Sequence, residues 1–135
     1  MQQKQIKIGI LAVIFVWFVF FPTAEIASAE KPDFKAIIGE WIRADGGYVV
    51  RVRGIKPDGS VDAGYYNPKE INIAEAKVSI WKGLVKLDIK LQDKGYPGST
   101  YKLYYYAEKD ALVGFYYQAQ LKQTFEVAFT RKPKQ

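Results

Sequence analysis

Carboxylates, serines, lysines and tyrosines are the side chains in this chain that could do chemistry, because it contains no histidine and no cysteine. Missing histidine removes His-based triads and the commonest nitrogen ligand for a metal. Missing cysteine removes thiol catalysis and thiolate metal sites. Asp58, Asp93 and Asp110 fall in turn sequences, where aspartate serves backbone hydrogen bonding. Asp62, Asp88 and Glu126 fall on outward strand positions. Two carboxylates can hydrolyse a glycoside only if the fold brings them together, and no spacing here suggests that. Ser60, Ser79 and Ser99 are formal candidates for a serine–lysine pair, but each reads as a turn or surface residue. There is no glycine-rich phosphate loop and no calcium-loop spacing. No catalytic residue, metal ion or cofactor is expected, and the chain reads as a non-enzyme.

Tyrosine is the unusual feature. The chain has 10, and Tyr65-Tyr66, Tyr104-Tyr105-Tyr106 and Tyr116-Tyr117 are adjacent runs. Successive strand residues point to opposite faces, so such runs put rings on both sides of a sheet. Tyr101, Tyr105, Phe115 and Tyr117 are expected inward, lining a pocket for a small amphipathic ligand. Tyr104, Tyr106 and Tyr116 are expected outward, as an aromatic patch for a sugar, peptide or protein partner. The same rings also suit ordinary cross-strand packing.

The elements that must position these residues are strands. From Gly39 to Arg131 the apolar pattern alternates. Val85, Leu87, Ile89 and Leu91 share one face, while Lys86, Asp88, Lys90 and Gln92 share the other. Phe125, Val127 and Phe129 repeat the inward pattern near the end. Turn chemistry interrupts it at Gly46-Gly47, Pro57-Asp58-Gly59, Asn67-Pro68, Lys82-Gly83, the long Lys94–Ser99 segment, Glu108-Lys109-Asp110 and Leu121-Lys122-Gln123. Eight strands are predicted, near 40–45, 48–56, 60–66, 72–81, 84–92, 100–107, 111–118 and 123–131. The fourth changes parity between Ile73 and Ala76, which predicts a bulge or a late start near Ala74. Asp33–Ile38 fits one helical turn.

Short connections make sequential strands antiparallel neighbours. Closing the sheet removes two exposed edges, so the expected fold is all-β: an eight-stranded antiparallel up-and-down meander barrel, with a β-sandwich second. Before it, two cations, an apolar run from Ile8 to Phe21, and Ala27-Ser28-Ala29 form the parts of a secretory signal peptide. The expected organisation is a signal at 1–29 and a single domain at 30–135, exported to a bacterial periplasm or secreted, with retention as an N-terminal anchor as the alternative. No stable membrane span is expected after cleavage. Removing Lys4, Lys7 and Glu25 from the chain's 20 basic and 14 acidic residues leaves 18 and 13, net +5. A mild, dispersed positive charge does not point to nucleic acid.

Gly39-Glu40-Trp41 opens the first strand and Arg131 ends the last. This resembles the signature of the calycins, the group that includes lipocalins and avidins. The resemblance implies that Arg131 lies over the Trp41 ring and caps one barrel end, with Gly39 letting the backbone pass close by. Gly39, Trp41 and Arg131 are thereby structural closure residues. The segment from Gly46 to Tyr65 is also similar to the opening of the avidin meander. The chain departs from those families in having only Trp41 and Trp81 after the leader, and a tight Gly54–Ser60 turn.

Two functions follow as expectations. One is an exported binding module for a small apolar or amphipathic ligand in the cell envelope. The other is a filled barrel that acts through contacts with an envelope protein, without a small ligand.

Overall fold

The computed structural model describes residues 31–134. The segment read as a signal peptide lies outside the described residues. Among the described residues no helix is long and apolar enough to cross a membrane.

The chain builds nine antiparallel strands: β1 Gly39–Arg43, β2 Val49–Ile55, β3 Val61–Tyr66, β4 Glu70–Ile71, β5 Ile73–Trp81, β6 Leu84–Asp93, β7 Tyr96–Tyr106, β8 Ala111–Gln118 and β9 Gln123–Arg131. A 3₁₀ turn at Phe34–Ile37 precedes β1, and a second at Ala107–Lys109 joins β7 to β8. The sheet order is β4-β3-β2-β1-β9-β8-β7-β6-β5, an up-and-down meander curled into a nearly closed barrel. The alternating pattern is realised on β6, where Val85, Leu87, Ile89 and Leu91 are all buried. Those four side chains meet Trp41, Val50, Val52, Leu103, Leu112 and Phe129 from the other strands in one core.

Nine strands replace the expected eight because a two-residue strand, β4, pairs with β3 just before the expected fourth strand, which is found as β5. Asn72 separates β4 from β5 and is tied to the end of β6. Its N–H donates to Asp93 Oδ2 at 2.7 Å, its Nδ2 donates to the Gln92 carbonyl at 3.0 Å, and its own carbonyl accepts from Gln92 N–H at 3.0 Å. The parity change after Ile73 is a bulge: Ile73 pairs with Leu91 and Glu75 with Lys90, leaving Ala74 extra. The long turn before β7 is shorter than expected. Gly98 adopts φ +79°, which lets the chain bulge within the β6–β7 ladder, so the strand starts at Tyr96.

Residues at the two ends of the chain's meander, β1 and β9, pair directly, with Trp41 opposite Arg131. The seam falls elsewhere, between β3 and β5. It is joined by a bridge from Ser60 to Lys77 and by Val78 N–H donating to the Gly59 carbonyl at 2.9 Å. At one barrel end the first 3₁₀ turn inserts Ile37, which is fully buried, and the Trp41 indole N–H donates to its carbonyl at 2.9 Å. That end is shut.

Candidate functional site

At the shut end, Arg131 lies 4.2 Å over the Trp41 ring. It donates from Nη1 to the Ile38 carbonyl at 2.7 Å and from Nη2 to the Ala36 carbonyl at 2.6 Å, and its Nε reaches Asp110 Oδ2 at 2.8 Å. A Cβ on Gly39 would sit 2.6 Å from Arg131 Nη1 and push the guanidinium from its place, and the φ of +143° is one that side chains rarely adopt. The arrangement ties β1, β9, the 3₁₀ plug and the β7–β8 turn together. Its donors are spent on the protein's own carbonyls and carboxylate. Tyr105, expected in a ligand set, belongs here: its hydroxyl donates to Asp110 Oδ1 at 3.0 Å, and its ring meets Trp41 edge-on at 6.0 Å.

The opposite end is open. β1 delivers Arg43 two residues after Trp41, on the same inward face, and only 11% of its side chain is exposed. Its guanidinium lies 3.8 Å over the Tyr48 ring, and the centroid of the Tyr116 ring is 5.7 Å away. Nη1 donates to the Tyr101 hydroxyl at 2.9 Å, and that hydroxyl shares a hydrogen bond of 2.8 Å with Tyr65. Nε and Nη2 point to the two oxygens of Asp45 at 2.5 and 3.2 Å. The Asp45 side chain is itself 62% exposed. Asn67 orients Tyr96 by donating to its hydroxyl at 2.9 Å.

These groups surround a recess of about 480 Å³, lined by Arg43, Tyr48, Tyr96, Tyr116, Phe125 and Glu126 among others. Below its floor the barrel is occupied. Tyr65 and Tyr101 are fully buried, with centroids 5.4 Å apart, and Phe129 packs edge-on against Tyr101 at 5.6 Å. Among the described residues no buried side-chain nitrogen or oxygen lacks a partner.

Burial acts against the Arg43 cation, but Asp45 and Tyr101 outweigh it and raise its pKa overall. Burial raises the Tyr101 phenol to about 12, although its hydrogen bonds to Tyr65 and Arg43 pull the other way. Tyr65 is raised further, again first by burial and then by Tyr101. The site therefore presents a permanent cation on a neutral aromatic floor. It can orient an anion or an electron-rich head by charge-assisted hydrogen bonds, while the rings take up apolar area. Among the described residues no group of three or more acidic side chains could hold a metal ion.

Of the four residues expected to line a pocket, none lines the recess; Tyr101 lies fully buried beneath it and accepts a hydrogen bond from Arg43. Phe115 and Tyr117 point outward, 44% and 38% exposed, and Tyr116, expected outward, is only 7% exposed. The register explains the correction. Tyr101 pairs with Tyr116 and Leu103 with Gly114, so Leu112, Gly114 and Tyr116 take the inner face. Gly114 is needed there, because a Cβ would collide with the Lys102 carbonyl. Ser99 is also not a surface residue: it is fully buried in β7, and its hydroxyl accepts from Ala119 N–H at 3.1 Å. Arg43 carries no motif. The one sequence signal that marks it is its parity with Trp41.

Comparison of the chain with protein-family models, with curated proteins and with solved structures gave no match.

Proposed function

We propose that this chain is an exported binding module of the calycin type that takes a small amphipathic molecule at the open mouth of its barrel. The observation that carries this reading is Arg43: a largely buried guanidinium stacked on the Tyr48 ring, with the Tyr116 ring 5.7 Å away, at the floor of an open recess. A cation so placed costs desolvation, and a purely structural barrel end is more cheaply made from apolar residues. The Trp41–Arg131 pair supports calycin kinship, and the leader-like segment 1–29 supports export. The ligand sits at the mouth and not deep inside, since aromatic side chains fill the interior.

A second reading is favoured by the outer face. Trp81 packs on Tyr104 with centroids 5.0 Å apart, and Tyr106, Val113, Phe115 and Tyr117 extend this exposed apolar surface over β7 and β8. Contiguous exposed aromatics suit a protein partner, such as another envelope component.

Native mass spectrometry of the protein purified gently from its own envelope separates the two. The mouth reading expects an added mass of a small molecule that disappears on denaturation. A bare chain that crosslinks to an envelope protein through β7 and β8 would replace it with the second reading.

A further inference from the structure

The carboxylate of Asp45 occupies the Nε–Nη2 edge of Arg43, the side of the guanidinium best shaped for a bidentate anion. Its position differs from that of Arg43's other partners. Tyr101 and Tyr48 come from the barrel itself, and Tyr101 is fully buried. Asp45 comes from the β1–β2 turn, is mostly in water, and is followed by Gly46 and Gly47. Exchanging it for another anion costs little, because the freed carboxylate is hydrated at once and the incoming group takes over the same N–H donors, so the largely buried guanidinium is never left unpaired. Releasing the guanidinium from its rings would cost far more, because the cation lies inside the barrel wall.

We infer that Asp45 is a displaceable internal anion, and that the ligand of this mouth carries a carboxylate or similar planar anionic group that takes its place on Arg43 while its apolar part lies against Tyr48, Tyr96, Tyr116 and Phe125. The inference rests on the mouth being the binding site and adds the ligand's chemical class and a residue that sets affinity. No covalent step is involved; one anion replaces another on the same two N–H donors. Asp45 then works as a threshold. It shields Arg43 from inorganic anions, which gain nothing from the rings, and yields to an anion with an aromatic or acyl body.

Calorimetric titration with 2-naphthoate and its neutral amide, 2-naphthamide, tests this on the envelope-purified protein. Glu126 lines the same recess, while the Arg43 side chain donates to Asp45 and Tyr101, so Glu126→Ala matches the charge change of Asp45→Ala and controls for general electrostatics. Displacement predicts that D45A tightens 2-naphthoate about tenfold, that E126A changes it less than threefold, and that neither alters 2-naphthamide. Arg43→Gln should bring the two probes to equal affinity, and Arg43→Lys, which keeps the charge but loses the fork, covers the case in which the glutamine variant does not fold. Equal effects of D45A and E126A, or no preference of the native protein for the anion, would overturn the displacement while leaving the mouth as a site for neutral ligands. Failure of both probes to bind either native protein or D45A would overturn the mouth reading, and the displacement with it.

Discussion

Arg43 and Tyr101, 58 residues apart in the chain, meet in a hydrogen bond of 2.9 Å just beneath the open mouth of the barrel. The bond joins a recess that water can enter to a core that it cannot. Tyr101→Phe keeps the ring and its packing on Tyr116 and Phe129 but leaves an Arg43 N–H and the buried Tyr65 hydroxyl short of a partner. Chemical denaturation should show a loss of about 1–3 kcal/mol. A neutral result would mean that the network contributes nothing to the fold.

The Arg131 latch gives a second expectation. Arg131→Met keeps the volume over Trp41 but removes donors to two carbonyls and to Asp110, and should cost about 2 kcal/mol in urea unfolding. Its acidic partner sets a pH dependence. The hydrogen bond from Arg131 holds Asp110 below the usual carboxylate range, with burial opposing it. A carboxylate depressed in the folded state contributes stability above its unfolded pKa of about 3.9, lost as pH falls through the lower folded value. Asp110→Asn should lack that part of the acid loss, which a pair of denaturation curves at pH 5 and pH 3 would reveal.

Alkali should act through the buried phenols. Tyr101 is raised to about 12 and Tyr65 beyond it, both first by burial. An unfolded tyrosine ionises near pH 10. Stability from these groups is complete below that pH and declines as pH rises through the folded values, because the unfolded chain loses its protons first. Absorbance at 295 nm should show a late, cooperative rise from Tyr65 and Tyr101 that coincides with unfolding. One smooth titration with no unfolding step would contradict the burial.

The face assignment of β8 has its own test. Phe115→Ser should change stability by no more than about 0.5 kcal/mol, whereas Tyr116→Ala should cost about 3 kcal/mol. The reverse order would restore the parity that the sequence suggested.

That parity shows where reading the residues stops working. On β6 the polar and apolar positions separate cleanly, so Val85, Leu87, Ile89 and Leu91 identify the core face by themselves. On β8 both faces are apolar: Leu112, Gly114 and Tyr116 against Val113, Phe115 and Tyr117. Hydrophobicity favours the wrong set, since glycine counts for little. What decides is non-local, the pairing of Tyr101 with Tyr116 and the close approach of Lys102 to Gly114. The closure pair Trp41 and Arg131 was legible because a short motif marks it. Arg43 was not, since an arginine two residues before an aspartate reads as a surface ion pair until the barrel curls around it. The break at Asn72 that sets off the extra short strand Glu70–Ile71 depends on Asp93 and Gln92, about twenty residues away.

The most direct measurement is an NMR titration of the envelope-purified protein, carrying labelled tyrosine rings, with 2-naphthoate. The account predicts that Tyr48, Tyr96 and Tyr116 shift together and saturate, while Tyr104 and Tyr106 on the outer face stay still. Shifts confined to Tyr104 and Tyr106, or no saturable shift at Tyr48, Tyr96 and Tyr116, would contradict a ligand site at the mouth.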